Sequence, residues 1–113
     1  MVALSIELVT KIDRHKLIED VRNAIFVLDG WIEDFRFFSN ISAMISAVLP
    51  SRNANRFAAM LADIGLILPA ETIESLAREA TTCIVDSEFL CALNVNFIHG
   101  DGDLRIPTPA VPG

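Results

Sequence analysis

The run His99-Gly100-Asp101-Gly102-Asp103 places one imidazole and two carboxylates in alternation with glycine. Carboxylate and imidazole ligands suit a divalent cation, and glycines give the backbone the tight course needed to let them converge. The spacing departs from established metal loops, with no D-x-D-x-D-G followed by a distal glutamate and no H-E-x-x-H. The same five residues also make a wide turn, in which Gly100 and Gly102 take positive φ and an aspartate closes the bend. The turn is the simpler reading; the metal reading rests on His99, Asp101 and Asp103.

Just upstream, Asn94 and Asn96 fall on the same side of an alternating segment. Two amides aimed at one place are costly unless something pairs with them. Ser5 and Glu7 form a similar polar pair near the start of the chain. Together Ser5, Glu7, Asn94, Asn96 and His99 form the candidate ligand-binding set. In a small cofactor-free or metal-assisted enzyme, Glu7, Asn94, Asn96 and His99 would be the polar residues of the pocket. Nucleophilic catalysis finds no support: there is no G-x-S-x-G elbow, and neither Cys83 nor Cys91 has a neighbouring base in sequence. Glycine-rich phosphate loops are absent too, and no organic cofactor is called for. His15, in the first turn of a helix, reads as a solvated residue, and Trp31 as a core or interface side chain.

These side chains depend on strands for their placement. From Phe89 onward, Cys91, Leu93, Val95 and Phe97 alternate with Ala92, Asn94 and Asn96, the period of a strand with one face in an apolar core. Val2–Thr10 repeats the pattern, with Leu4, Ile6 and Leu8 opposite Ser5 and Glu7. Asp13 then caps a helix over about Arg14–Asp29, striped by Leu17, Val21, Ala24, Ile25 and Leu28, with Gly30 as its left-handed stop. Trp31–Phe38 is aromatic and alternating, with Trp31, Glu33, Phe35 and Phe37 on the helix side and Ile32, Asp34, Arg36 and Phe38 outward. After a turn at Ser39-Asn40, Ile41–Leu49 reads as the second arm of a hairpin, in which Ile41, Ala43, Ile45, Ala47 and Leu49 face in. A helix over Asn40–Leu49 is the competing reading, disfavoured by its serines and β-branched isoleucines. Ser51 or Asn53 caps a second helix striped by Phe57, Met60, Leu61 and Ile64, and Gly65 stops it. Pro69 begins a third at its first position, burying Ile73, Leu76, Ala77 and Ala80.

The order is therefore β-α-β-β-α-β, with the second helix broken into two pieces. The expected fold class is α+β: a ferredoxin-like two-layer sandwich with an antiparallel four-stranded sheet. In it the first strand lies beside the third and the fourth beside the first. Helices cover one face, and the outward sets of all four strands converge on the other: Ser5, Glu7, Ser42, Ser46, Asn94, Asn96, Asp34 and Arg36. Residues 1–104 make the domain, and 105–113, with three prolines, an extended tail that packs on its own or a second subunit.

Composition bounds the partners. Of 113 residues, 52% are hydrophobic, and the mean hydropathy is +0.46, a surplus hard to hide in a small monomer. A homo-oligomer, most simply a dimer, is expected. The net charge of −6, with basic residues interleaved among acids, argues against nucleic acid and anionic membrane as partners. The N-terminus lacks a basic segment and no apolar run is long enough to span a bilayer, so a reduced cytoplasmic setting is expected. The function this supports is small-ligand sensing or protein interaction through the polar sheet face or a dimer groove.

Overall fold

The computed structural model describes residues 1–39, 41–82 and 84–98. The elements follow in the order β1 (Val2–Thr10), α1 (Arg14–Val27), β2 (Trp31–Ser39) and β3 (Ser42–Pro50). A 3₁₀ turn (Ser51–Asn53) then leads to α2 (Ala54–Ile64), α3 (Ala70–Ala80) and β4 (Glu88–Phe97). The chain is α+β, with a four-stranded sheet and three helices among the described residues. None of those helices is long and apolar enough to cross a membrane. The segment after Asn40 is a strand, as the β-branched residues require, although Ile41 itself lies outside β3 and is exposed. His99, Asp101, Asp103, the tail 105–113 and Cys83 lie outside the described residues.

The sheet is not the all-antiparallel ferredoxin-like one expected. Its order is β1-β4-β3-β2, and β1 runs parallel to β4 in an unbroken register from Val2 opposite Phe89 to Thr10 opposite Phe97. β4 is antiparallel to β3, and β3 to β2. The cause is the break in the second helix. One crossover helix would carry the chain to the opposite end of the sheet, so that the next strand ran the same way as β3. Two helices in succession bring it back to the end where β3 finished. The Ser51 amide accordingly donates to the Ser87 carbonyl at 2.8 Å, joining the exit of β3 to the entry of β4. Gly65, at φ 114, makes the reversal: with the left-handed residue in place, the amides of Gly65 and Leu66 close on the carbonyls of Ala62 and Leu61. β4 therefore enters beside β3 in the middle of the sheet, and β1 is displaced to an edge.

The core lies between the helices and one sheet face. Ile6 and Leu8, Ala43, Ile45, Ala47 and Leu49, and Phe89, Cys91, Leu93, Val95 and Phe97 share a cluster with Leu17, Val21 and Ile25 of α1, Phe57 and Leu61 of α2 and Leu76 of α3. Ile73, expected to bury with Leu76, is instead 47% exposed. Asp13 caps α1 as its position implies, its carboxylate accepting from the Lys16 amide at 3.1 Å. Asn53 stands before α2 but makes no side-chain cap there; its amide donates at 2.8 Å to the Leu28 carbonyl at the end of α1. One polar side chain thus joins two helices. Ser51 Oγ donates to Glu79 Oε2 and lies 3.1 Å from Ser87 Oγ, which fastens the end of α3 to the same junction.

Two local expectations are corrected at β2. The left-handed residue after α1 is Asp29, at φ 65, and not Gly30. Gly30 is required for space: a Cβ there would come within 2.6 Å of the Val48 carbonyl oxygen. The register against β3 then slips between Ile32 and Asp34, where an extra residue enters the strand. A bulge changes which residues share a face. Ile32, opposite Ala47, packs on the core; Trp31, opposite Val48, turns outward with Glu33, which accepts a hydrogen bond from the indole N–H at 2.8 Å. Asp34 and Arg36 remain outward. Phe35 and Phe37 stay on the helix side but lie on the edge strand, 38% and 50% exposed. They meet edge-to-face at 4.9 Å, and the Arg14 guanidinium sits 5.3 Å from the Phe37 ring.

Candidate functional site

The register fixes what the second face of the sheet presents. Reading from β1 across β4 and β3 to β2, one row is Ala3, Leu90, Val48 and Trp31. The next is Ser5, Ala92, Ser46 and Asp34, followed by Glu7, Asn94, Met44 and Arg36. The last row begins Val9, Asn96 and Ser42. Paired residues on neighbouring strands share a face, so these rows form one surface. None of these side chains belongs to the core cluster under the helices. Val48, though only 4% exposed, lies outside that cluster and is flanked by Trp31 and Leu90.

Four of the five residues singled out for ligand binding meet here. Ser5 and Glu7 come from the edge strand and Asn94 and Asn96 from the central one; the amide of Asn94 donates to Ser5 Oγ at 3.2 Å across the β1–β4 pair. The fifth, His99, lies outside the described residues, as do Asp101 and Asp103. Among the described residues no three of His, Cys, Asp and Glu gather closely enough to hold a metal ion. At the opposite edge, Arg36 Nε donates to Asp34 Oδ2 at 2.8 Å. At the middle of the floor the side chains are small, Ala92 beside Ser46, with Ser46 almost closed off at 9% exposure.

The chemistry of this surface is that of hydrogen bonding and packing. It offers hydroxyls, two amides, carboxylates and a guanidinium around Ala92 and Ser46, with Leu90, Val48 and Met44 beside them. Cys91, on the core side of β4, contributes no nucleophile, since burial pushes its thiol up to about 12. The concavities lie at the rim of this face or away from it. One of about 320 Å³ runs along the free edge of β1 against α3, lined by Ser5 and Ile6 on one side and Glu71, Thr72, Ser75 and Arg78 on the other. Another of about 300 Å³ lies between α1 and α2. The half-buried Ser51–Glu79–Ser87 contact and the β1–α3 groove carry no mark in the sequence, since each joins residues distant in it.

Comparison with protein-family models, curated proteins and solved structures gives no match.

Proposed function

We propose that this chain is a small oligomeric interaction domain whose working surface is the outer face of the sheet. The observation that supports this is the composition of that face on a layer the helices leave bare. Trp31 at 48% and Val9 at 64% exposure stand at two of its corners, with hydrogen-bonding groups between them. A half-apolar, half-polar pleated surface of this kind is what sheet-on-sheet or sheet-on-protein packing uses. Protein interaction is favoured over small-ligand sensing because the grooves of about 320 and 300 Å³ lie at the edge of β1 and between helices, not over Ala92 and Ser46. A small ligand is held by a concave site that encloses most of its surface.

Site-specific photo-crosslinking tests the reading. p-Benzoylphenylalanine placed at Ala92, in the middle of the outer face, is compared with the same residue at Glu19, exposed on α1. Irradiation in the expressing cell is expected to give a discrete protein adduct from Ala92 and none from Glu19. No adduct from Ala92, or equal yields from both, overturns the proposal.

A further inference from the structure

We infer that the occupant of the outer face is a second copy of this chain, related by a two-fold axis that runs roughly along the strands. This rests on the reading of the outer face as a binding surface and names the partner. Glu7 lies on β1, one edge of the sheet, and Arg36 on β2, the other, and both belong to the same row. An axis parallel to the strands exchanges the two edges and preserves the rows. It lays Glu7 over Arg36 of the second copy, and Arg36 over Glu7, so one operation makes two opposite-charge contacts. Stacked sheets lie about 10 Å apart, a gap that a glutamate and an arginine can bridge between them.

The remaining rows agree. Ala3, Leu90, Val48 and Trp31 fall on themselves, Leu90 over Val48 and Ala3 over Trp31, so the apolar end of one sheet meets the apolar end of the other. Ser46 meets Ala92, and Asn94 meets Met44. An axis across the strands also pairs charges, laying Arg36 over Asp34 of the second copy, but it sets the apolar row against Val9, Asn96 and Ser42 and leaves Glu7 opposite Ser5, so Glu7→Arg would not disturb it. Glu7 makes no ion pair among the described residues, and Arg36, with its side chain 64% exposed, keeps donors free beyond its bond to Asp34. The area suffices. Four strands about 4.8 Å apart and about nine residues long cover roughly 570 Å² in projection, and more with side-chain relief. A stable interface takes roughly 800 Å² per partner.

Charge reversal supplies the test. Glu7→Arg and Arg36→Glu each convert both contacts into like-charge pairs and are expected to weaken self-association by about a hundredfold or more. Mixed in equal amounts, the two variants regain opposite charges at both contacts, and so does the double variant. Sedimentation velocity across a concentration series reads the mass, and circular dichroism confirms that each variant is folded. The expected pattern is dimer for the native chain, monomer for each single variant, and dimer for both the mixture and the double variant. A monomeric native chain, single variants of unchanged mass, or a mixture that stays monomeric overturns the inference. In those cases an Ala92 crosslink to a different protein would leave the face a binding surface, whereas no crosslink would remove both proposals.

Discussion

Substituting Gly30 by alanine should damage this protein more than any conformational preference of glycine predicts. The residue sits between the end of α1 and the start of β2 with an ordinary φ, so alanine is permitted there by backbone torsion. Space is what forbids it. The new methyl would lie 2.6 Å from the Val48 carbonyl oxygen, 2.9 Å from Leu49 Cγ and 3.2 Å from Ile25 Cγ2. The first contact is with the backbone of a central strand, which cannot swing aside. Overpacking of this kind costs about 1–3 kcal/mol, against about 0.4–1 kcal/mol regained from a stiffer unfolded chain. A net loss of about 1.5 kcal/mol lowers the melting temperature of a domain of this size by about 6 °C. Asp29→Gly is the control, since Asp29 holds the left-handed conformation at φ 65 and glycine adopts it without steric cost. Thermal unfolding by circular dichroism should show Gly30→Ala melting well below the native chain and Asp29→Gly at or above it. An unchanged midpoint for Gly30→Ala, or a larger drop for Asp29→Gly, would refute the reasoning.

Two further outcomes follow from buried contacts. Asn53→Ala removes the donor to the Leu28 carbonyl and leaves a helix-end acceptor unpaired in a buried site, so urea unfolding should show a loss of about 1–3 kcal/mol with an unchanged m-value. Cys91 makes stability fall in alkali. Its thiol is raised by burial from an ordinary value of 9.0 to about 12, so above pH 9 the unfolded chain releases a proton that the folded chain keeps. The contribution is intact below pH 9 and is lost as pH rises toward 12. Denaturant titrations should show a steeper alkaline decline for the native chain than for Cys91→Ala, and parallel declines would count against it.

Much of the layer was legible because each strand buries one face, and a period of two records that directly. Leu93 and Val95 against Asn94 and Asn96, or Ile6 and Leu8 against Ser5 and Glu7, needed no partner strand to be assigned. Two features escaped for a common reason: they depend on a single residue's geometry and not on a pattern. The slip between Ile32 and Asp34 carries no compositional mark, and alternation counted from Trp31 therefore put the indole on the wrong face. The sheet order turned on whether Gly65 to Pro69 bends one helix or reverses the chain between two. Both pieces were visible in sequence, but parity was not, and parity decides whether β4 runs with β3 or against it.

That same reversal bears on the candidate site. With β4 at an edge, as in the expected order, Asn94 and Asn96 would stand at the rim, beside Glu7 on one side and open solvent on the other. Entering between β1 and β3, β4 instead puts its amides in the middle of the face and moves β1, with Glu7, to the rim opposite Arg36. A two-fold axis along the strands exchanges the outer pair, β1 with β2, and the inner pair, β4 with β3, so it can lay Glu7 over Arg36 only when β1 and β2 are both at the edges. The left-handed turn at Gly65 thus acts on the surface of the protein as well as on its core. By choosing which strand is central, it sets Glu7 and Arg36 on the two outer strands of one copy, and the proposed dimer would place them opposite each other between two.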